Sequence, residues 1–411
     1  MRMSRSLQKV LDYKEGRQIK SCLKNIKVAS LIEKGIDAHT LFCLARNAAR
    51  FYVHESIARG RISCSQPKEA DIPSIHIARR TVPEAWEDTI MTLLAYGQQV
   101  HTGYDPVDKE GRYTSFPSQE GTVMMHIEEP FGEPRFHKHF LGGWMGFGDY
   151  RAEIEGVKDH WMISPEIVVD MLKKGRFDEI KDNKKWKYTY HQRLAAYPYI
   201  DIHGEPQTIN QFNSVLKKLK REPLSKSAIC HTWDPRWDHN DGIMGGKWDD
   251  YDSACLQNLW FRLIPVLSES QKIYGANLNA HSFERYRLNM NWLFRSRDHL
   301  KAVPQNIDGL SEKFYEPMRA SLEKRLGVPV ERGRLVDISY SLHLYGHYFD
   351  YRKQGKDAEA YIQDIFRVAS GEPIEDRLIL PGTPMYDMMM EDIQKEYKFR
   401  KKHPDAGLPK S

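Results

Sequence analysis

The sequence predicts a mixed α/β protein with a helical extension at its N-terminus. Over residues 75–355, segments with the apolar spacing of amphipathic helices alternate with strand-like segments, without a clean linker between them. Residues 1–73 show only helical spacing, and Lys and Arg outnumber Asp and Glu there. The last part is charged and partly helical. We therefore expect a basic helical extension (1–73), one α/β domain (74–355) and a charged C-terminal tail (356–411).

The elements follow from local patterns. Pro83 and Glu84 suit the first turn of a helix, and Gly97 suits its end. In residues 121–130 apolar and polar side chains alternate, as in a half-buried strand. The predicted helices span residues 39–60, 83–97, 208–223 and 311–327. The predicted strands span residues 121–130, 227–233, 256–267, 287–298 and 332–349.

Composition excludes several classes of protein. The 411 residues are 40% hydrophobic and 28% charged, which is typical of globular rather than disordered or fibrous chains. An apolar run of membrane-spanning length and a secretory signal are both missing, so we expect neither a membrane protein nor export. The five cysteines are odd in number and have no CxxC spacing. This argues against a disulfide scaffold or a cysteine zinc site, and it favours a reducing cytoplasm.

Cys255 begins an apolar segment, where a cysteine usually serves only for packing. A nucleophilic cysteine needs positive charge nearby to stabilise its thiolate. Arg295, at the end of a later predicted strand, could supply this charge, and its guanidinium could also hold a phosphate in a bidentate fork. Either residue alone is weak support for catalysis.

The order and spacing of the surrounding motifs are more specific. Cys255 lies in ACLQ, RSRD follows at 295–298, and Pro304 and Asn306 come nine and eleven positions after Arg295. SLHLY then occupies 341–345. This series resembles thymidylate synthase, which carries Pro-Cys, then Arg-Ser-x-Asp with Pro and Asn at the same offsets, then Asp-x-His-x-Tyr. KEGRYTSF, TYHQRL and residues 208–233 resemble further segments of that family, so the resemblance spans roughly residues 100–350.

The resemblance implies a three-layer α/β fold with a mixed central sheet, and a homodimer that binds dUMP and 5,10-methylenetetrahydrofolate without a metal. Cys255 would attack C6 of the pyrimidine, and Arg295 would favour its thiolate. Tyr190 would line the proton-transfer site near C5. Asn306 would read the O4 and N3–H edge of uracil, although by itself it could be a turn-capping amide. Asp298 would hydrogen-bond the folate pterin.

The remaining implied residues hold the nucleotide. Arg112 resembles the phosphate-loop arginine, and Ser296 would contact the 5′-phosphate together with Arg295. His343 and Tyr345 would hold the ribose 3′-hydroxyl. Lys226 would reach the phosphate from the partner subunit.

The chain departs from the family pattern at several positions. Ala254 replaces the proline before the cysteine, and Ser341 replaces the aspartate of the His-x-Tyr motif. Lys226 and Ser227 replace a pair of arginines, so one positive charge remains there as a point charge. The interval between Cys255 and Arg295 is about twice the family's length because of an insertion at 266–286. The catalytic glutamate has no fixed position, and Glu153 and Glu155 are both candidates.

Two reactions occur in this family. After the one-carbon unit has joined C5 and the folate has left, an exocyclic methylene remains on the base. Transfer of a hydride from the folate to this methylene gives dTMP, whereas addition of water gives 5-hydroxymethyl-dUMP. Access of water to the methylene therefore decides between the two products. The final residues 407–411 are poorer in apolar groups than the closing C-terminus of the synthases. We therefore favour hydroxymethylation and keep reductive methylation as the alternative.

Two rival classes of protein stay open. Five side chains could form a nitrogen and oxygen metal site in a hydrolase, namely His231, Asp234, Asp238, His239 and Asp241. The basic arm before Pro73 could instead belong to a non-catalytic relative that binds nucleic acid, with affinity that falls steeply with salt.

Overall fold

The computed structural model describes most of the chain. The described residues are 5–65, 71–103, 105–140, 143–161, 170, 173–175, 188–234, 238, 254–267, 283–298 and 310–405. Asn306, the metal-site candidates His239 and Asp241, most of the insertion at 266–286 and the final residues 406–411 lie outside them.

Helices and strands alternate along the chain. The helices are α1 (Arg5–Lys24), α2 (Val28–Glu33), α3 (Ala38–Ala58), α4 (Val82–Tyr96), α5 (Gly143–Ile154), α6 (Tyr190–Ala195), α7 (Gln211–Arg221), α8 (Glu316–Leu326), α9 (Tyr351–Gln354), α10 (Lys356–Ser370) and α11 (Pro384–Lys402). The strands are β1 (Ile62–Cys64), β2 (Ser74–Arg79), β3 (Gln98–Val100), β4 (Ser118–Ile127), β5 (Phe136–His137), β6 (Tyr197–Ile200), β7 (Pro206–Ile209), β8 (Ile229–His231), β9 (Leu256–Pro265), β10 (Tyr286–Asp298), β11 (Val330–Leu344) and β12 (Leu378–Ile379).

Within the described residues, eight strands form one central sheet. Its order is β1-β2-β4-β11-β10-β9-β8, and β3 pairs with β4 beside this path. The β2–β4 and β10–β11 pairs are parallel, whereas the other neighbours are antiparallel. The sheet is therefore mixed, and the predicted α/β class with a mixed central sheet is confirmed. The strand and helix predictions agree with the structure apart from their ends.

A capping box defines the start of α4, the helix that the sequence predicts at residues 83–97. The Thr81 side chain caps α4 in a capping box with Glu84, whose Oε2 accepts from the Thr81 N–H at 2.9 Å, and Pro83 occupies the first turn. The buried face of α4 packs against β2 and β4, and α3 packs against the outer side of α4. Leu41 and Ala48 of α3 are buried, whereas Leu44 is 40% exposed. Leu44 lies just outside the apolar stripe of α3, and α4 covers that stripe.

The two faces of the sheet differ. One carries the core, including Val123, Met125, Met290 and Trp292, all at most 2% exposed. The other, here called the open face, carries large apolar side chains that are only partly covered. Its members are Met124, Trp260, Ile264 and Tyr340, which are between 38% and 56% exposed. Apolar groups on a sheet face usually contact another layer of protein.

The N-terminal helices are tied to the C-terminal ones. The Gln363 amide on α10 accepts from the Val28 N–H at 2.9 Å and donates to the Ile26 carbonyl at 3.0 Å. The Tyr351 hydroxyl donates to the Ile36 carbonyl at 2.7 Å. The described part of the basic arm is therefore a packed layer. The domain boundaries predicted at residues 73 and 355 stay predictions. None of the described helices is both long and apolar enough to cross a bilayer.

Candidate active site

Several of the predicted site residues lie at one edge of the central sheet. The parallel strands β10 and β11 end at this edge, whereas β9 and β4, antiparallel to them, begin there. Cys255 immediately precedes β9, and Arg295 lies near the end of β10. Ser296 pairs with Ser341 and Asp298 with His343 across β10 and β11. Strand direction alone thus brings together motifs up to about 90 residues apart.

Cys255 and Arg295 are in direct contact. The Arg295 Nη2 donates to the Cys255 sulfur at 3.7 Å, and its backbone N–H donates to the Cys255 carbonyl at 2.7 Å. Both side chains are half-buried. A guanidinium at this distance stabilises a thiolate, because the protein screens the two charges less than water does. The contact supplies the positive charge that a nucleophilic cysteine needs.

Tyr190 lies beside the same cysteine. Thr189 caps α6 by accepting from the Gln192 N–H, and this places Tyr190 at the first helical position. The Tyr190 hydroxyl accepts from the Leu256 N–H at 3.2 Å, one residue from Cys255. Burial raises the pKa of Tyr190, and the charge of Cys255 raises it further. The phenol is therefore protonated at neutral pH and able to donate.

The two glutamate candidates separate in the structure. Glu153 on α5 accepts from Lys158 at 3.2 Å, and burial raises its pKa. Its charge adds to the increase in the pKa of Tyr190, as that of Cys255 does. Glu155 instead accepts from the Tyr397 hydroxyl at 2.5 Å, on the C-terminal helix α11. Of the two candidates, Glu153 is thus the one whose charge acts on Tyr190.

An ion pair that the sequence reasoning missed lies between the same strands. Arg297, 6% exposed, pairs with Asp337, which is fully buried, and its guanidinium stacks 4.0 Å from the centre of the Phe294 ring. The Arg297 Nε and Nη1, the Asp337 Oδ2 and the Ser339 hydroxyl have no hydrogen-bond partner among the described residues. The sequence carried a signal only for Asp337, a charged residue at a buried position of the alternating β11; Arg297 is out of phase with the buried positions of β10.

His343 belongs to a polar chain that crosses two strands. Its Nε2 lies 2.9 Å from the Ser341 hydroxyl, and that hydroxyl donates to Glu120 Oε1 on β4 at 2.6 Å. The Tyr345 ring stacks parallel to the His343 ring, with their centres 6.0 Å apart. Burial lowers the pKa of His343, outweighing Glu120 and Asp105, so its imidazole is neutral at pH 7. Sequence reasoning missed Glu120, because only strand pairing brings it beside residues 341–343.

Two predicted phosphate ligands have partners outside this cluster. Arg112 is exposed in a loop, where it pairs with Asp108 at 2.8 Å and Glu110 at 3.0 Å. The Lys226 carbonyl accepts from the Trp260 indole at 2.9 Å, and Trp260 lies five positions along β9 from Cys255. That interval is about 17 Å of strand. Lys226 is therefore distant from the Cys255 of its own chain and close to the open face.

The rival metal site has two acidic members whose partners are within the protein. Asp234 accepts from the Tyr197 hydroxyl, and Asp238 accepts from Arg193 at 3.3 Å and from the Asp234 N–H at 2.7 Å. The exposed His231 instead contacts the Asn258 amide at 2.5 Å. Among the described residues, no group of three or more His, Cys, Asp or Glu side chains could hold a metal ion.

Sequence comparison agrees with the geometry. A putative thymidylate synthase of Methanocaldococcus jannaschii is 29% identical over 170 residues, 41% of this chain and 60% of that protein. Putative thymidylate synthases of Methanosarcina barkeri and Methanosarcina mazei are 26% identical over 170 residues and 28% over 165, covering 58% and 56% of their lengths. Over about 40% of its length, the chain is thus similar in sequence to proteins named putative thymidylate synthase.

This relationship to thymidylate synthases is partial. The chain spans about 60% of the length of the curated relatives it matches. No protein-family model matches it. Among solved structures, the thermostable thymidylate synthase A of Bacillus subtilis gives a TM-score of 0.40 at 13% identity, covering 69% of this chain and 84% of that one.

Proposed function

We propose that the protein transfers a one-carbon unit from 5,10-methylenetetrahydrofolate to C5 of dUMP, and that its product is 5-hydroxymethyl-dUMP. The contact of 3.7 Å between Arg295 and the Cys255 sulfur carries the proposal. It combines a nucleophile with the charge that activates it, at the sheet edge where Ser296 and His343 also lie. Sequence relatives named putative thymidylate synthase point to the same chemistry.

The proposed reaction begins with addition of the Cys255 thiolate to C6 of the pyrimidine. The electron pair of the C5–C6 double bond moves toward O4 and makes C5 a nucleophile, which unreacted uracil lacks. Arg295 would stabilise the thiolate before the attack and contact the 5′-phosphate with Ser296. Tyr190 and Glu153 would handle the proton that later leaves C5, since the charges of Cys255 and Glu153 both act on Tyr190.

The other ligand contacts are proposals from the family pattern. Asn306 would read the uracil edge, and Asp298, at the last position of β10, would contact the pterin of the folate. The folate supplies the one-carbon unit that C5 receives. His343 and Tyr345 would hold the sugar hydroxyl, and Arg112 would need its loop to approach the phosphate, since it now pairs with Asp108.

Buried polar groups favour water as the final reactant. The Asp337 Oδ2 and the Ser339 hydroxyl have no hydrogen-bond partner among the described residues. Across β10 and β11 these residues pair with Trp292 and Phe294, which lie three positions and one position before Arg295. Buried polar atoms of this kind usually bind ordered water. After C5 has bonded to the one-carbon unit and lost its proton, tetrahydrofolate would leave as the free amine, and an exocyclic methylene would remain on C5. Water would add its oxygen to this methylene and release a proton, and Cys255 would then leave C6 as a thiolate, which restores the C5–C6 double bond. Reductive methylation to dTMP is the alternative.

A homodimer is part of the proposal. The open face presents partly covered apolar side chains, and Lys226 contacts Trp260 of that face through its carbonyl. Pairing of two open faces would cover Trp260 and Tyr340 and place Lys226 near the partner.

The five cysteines are all unpaired in the structure, which supports a reducing, cytoplasmic setting.

Product analysis tests the function directly. The full chain is incubated with dUMP and 5,10-methylenetetrahydrofolate, and the nucleotide is followed by mass while dihydrofolate is followed by absorbance. We expect 5-hydroxymethyl-dUMP, with its new oxygen taken from ¹⁸O-labelled water, and no dihydrofolate. Formation of dTMP in step with dihydrofolate would establish the alternative, and an unchanged nucleotide would refute both.

A further inference from the structure

A cavity of about 240 Å³ lies where the N-terminal helices meet α4 and the end of α10. The extension contributes Lys20, Arg59 and Arg61 to its wall, the end of β2 contributes Arg79, and the loop after α10 contributes Arg377. None of the proposed catalytic or substrate-binding residues lines it. The cavity is therefore separate from the edge of the sheet that carries Cys255.

Two buried ion pairs fix the inner wall. Glu87 accepts from the Arg377 Nη2 at 3.0 Å and contacts the His137 Nε2 at 3.0 Å. Its neighbour Asp88 pairs with Arg79 and accepts from the Tyr52 hydroxyl at 2.6 Å. Glu87 and Asp88 are consecutive on α4, so one helix anchors both pairs. Their carboxylates are neutralised by the protein itself and leave little negative charge for a ligand to meet.

The acids at the rim are also engaged. Glu55 pairs with Lys20 at 2.6 Å, Glu84 caps α4, and Glu372 accepts from Arg367 at 2.9 Å. Two arginines at the rim are less engaged. Arg59, 54% exposed, reaches Glu55 only at 3.9 Å. Arg61 has no side-chain partner among the described residues. The rim therefore offers unused N–H donors while its acceptors are occupied.

We propose that this cavity binds a small phosphate-bearing anion, with Arg59 and Arg61 as its principal ligands. Guanidinium groups match the oxygens of phosphate through paired hydrogen bonds. A space of about 240 Å³ corresponds to about eight water molecules at about 30 Å³ each, which suits a pyrophosphate or a small phosphate ester. The proposal is independent of the proposed catalytic function.

The site would give the N-terminal extension a role. Arg59 ends α3, and Arg61 directly precedes β1, while α4 on the opposite wall packs on β2 and β4 of the central sheet. An anion held between these elements would bridge the extension to the α/β domain. It would stabilise the folded chain, because a ligand that binds only the native state shifts unfolding by mass action.

The test uses the full chain and inorganic pyrophosphate at constant ionic strength. We expect calorimetric binding at one site per chain and a raised melting temperature. The double variant Arg59→Ala/Arg61→Ala should bind at least about tenfold more weakly, since it loses charged hydrogen bonds. Arg80→Ala is the matched control, because Arg80 is 59% exposed, pairs with Glu129 and does not line the cavity; it should bind as the wild type does.

Three results would overturn the proposal. These are absence of binding to the wild type, equal affinity in the double variant, and malonate binding as tight as pyrophosphate, which would show that any dianion suffices. Arg59 and Arg61 are exposed, so their loss should leave the fold intact, and circular dichroism checks this. If the double variant fails to fold, Arg61→Gln alone gives the same comparison.

Discussion

Ser341 donates a hydrogen bond of 2.6 Å to Glu120 on the neighbouring strand. A carboxylate cannot donate, and Ser341 has one proton, so its oxygen must accept from the Nε2–H of His343 at 2.9 Å. Neutral His343 then presents Nδ1 as an acceptor, which suits a ligand hydroxyl. The thymidylate synthase pattern has an aspartate at the position of Ser341. In this chain Glu120, on β4, supplies the carboxylate next to that position.

Ser341→Ala should therefore weaken dUMP binding. The change breaks the chain from Glu120 to His343 and frees the imidazole to rotate. We expect about a 5–30-fold increase in Kd, the equivalent of about 1–2 kcal/mol for a lost buried hydrogen bond. Titration calorimetry measures the change in Kd. Ser370→Ala on α10 is the control, because among the described residues that hydroxyl donates to the Arg367 carbonyl of its own helix.

The analogue of dUMP that lacks the 3′-hydroxyl makes this test specific. The wild type should lose affinity for the analogue, whereas Ser341→Ala should bind the two nucleotides about equally. An equal penalty in both proteins would mean that Ser341 acts only on stability. Failure of both proteins to bind either nucleotide would count against the proposed function itself.

Cys255→Ser should abolish turnover while dUMP still binds. A serine hydroxyl is a far weaker nucleophile at neutral pH, and Arg295 remains to hold the phosphate. Cys64→Ser is the matched control, since Cys64 lies in β1 and burial raises the pKa of its thiol to about 11. Turnover measured by product mass should persist in the control. Retained turnover in Cys255→Ser would refute the assignment of the nucleophile.

Arg297→Met should destabilise the fold by about 3–5 kcal/mol, because Asp337 would be left as an unpaired buried charge. Urea unfolding measures the loss. Arg285→Met removes an exposed partner of Glu331 and should cost about 1 kcal/mol or less. If the two variants lose the same free energy of unfolding, the Arg297–Asp337 pair is not buried in solution. Arg297→Met/Asp337→Leu should recover much of the loss.

Unfolding free energy should fall as the pH decreases from about 7 to about 5. Burial lowers the pKa of His139, outweighing the nearby Asp364. Below the ordinary histidine value of about 6.5, the unfolded state takes up a proton that the folded state does not, and stability is lost. His139→Gln should flatten this dependence, and the exposed His203→Gln should leave it unchanged. An equal slope in both variants would remove His139 as a cause.

Sequence reasoning located the elements well because their signals are local. The capping box of α4 and the alternation in β4 depend on residues within a few positions of one another, and both appear in the structure. The pairing of Cys255 with Arg295 was suggested by the positive charge that a thiolate needs and by a family pattern, not by any local signal. Its contact depends on β9 and β10 lying side by side, which a single sequence does not state.

For the same reason, the sequence could not predict contacts between residues that are far apart along the chain. Glu120 is 221 positions from Ser341, and Glu87 is 290 positions from Arg377. Nothing in their own neighbourhoods marks them, since a carboxylate on a strand or helix is usually solvated.

The sequence by itself determined the α/β class, the order of helices and strands, and the chemical character of Cys255 and Arg295. These depend on periodicity and residue type, which are local properties of the sequence. Only the tertiary structure decided which side chains meet. It set Glu120 beside Ser341, separated Glu153 from Glu155, buried the Arg297–Asp337 pair, and built a cavity from the N-terminal helices and α10. The physical reason is that strand register and helix packing minimise exposed apolar area over the whole chain, and polar neighbours are fixed as a consequence.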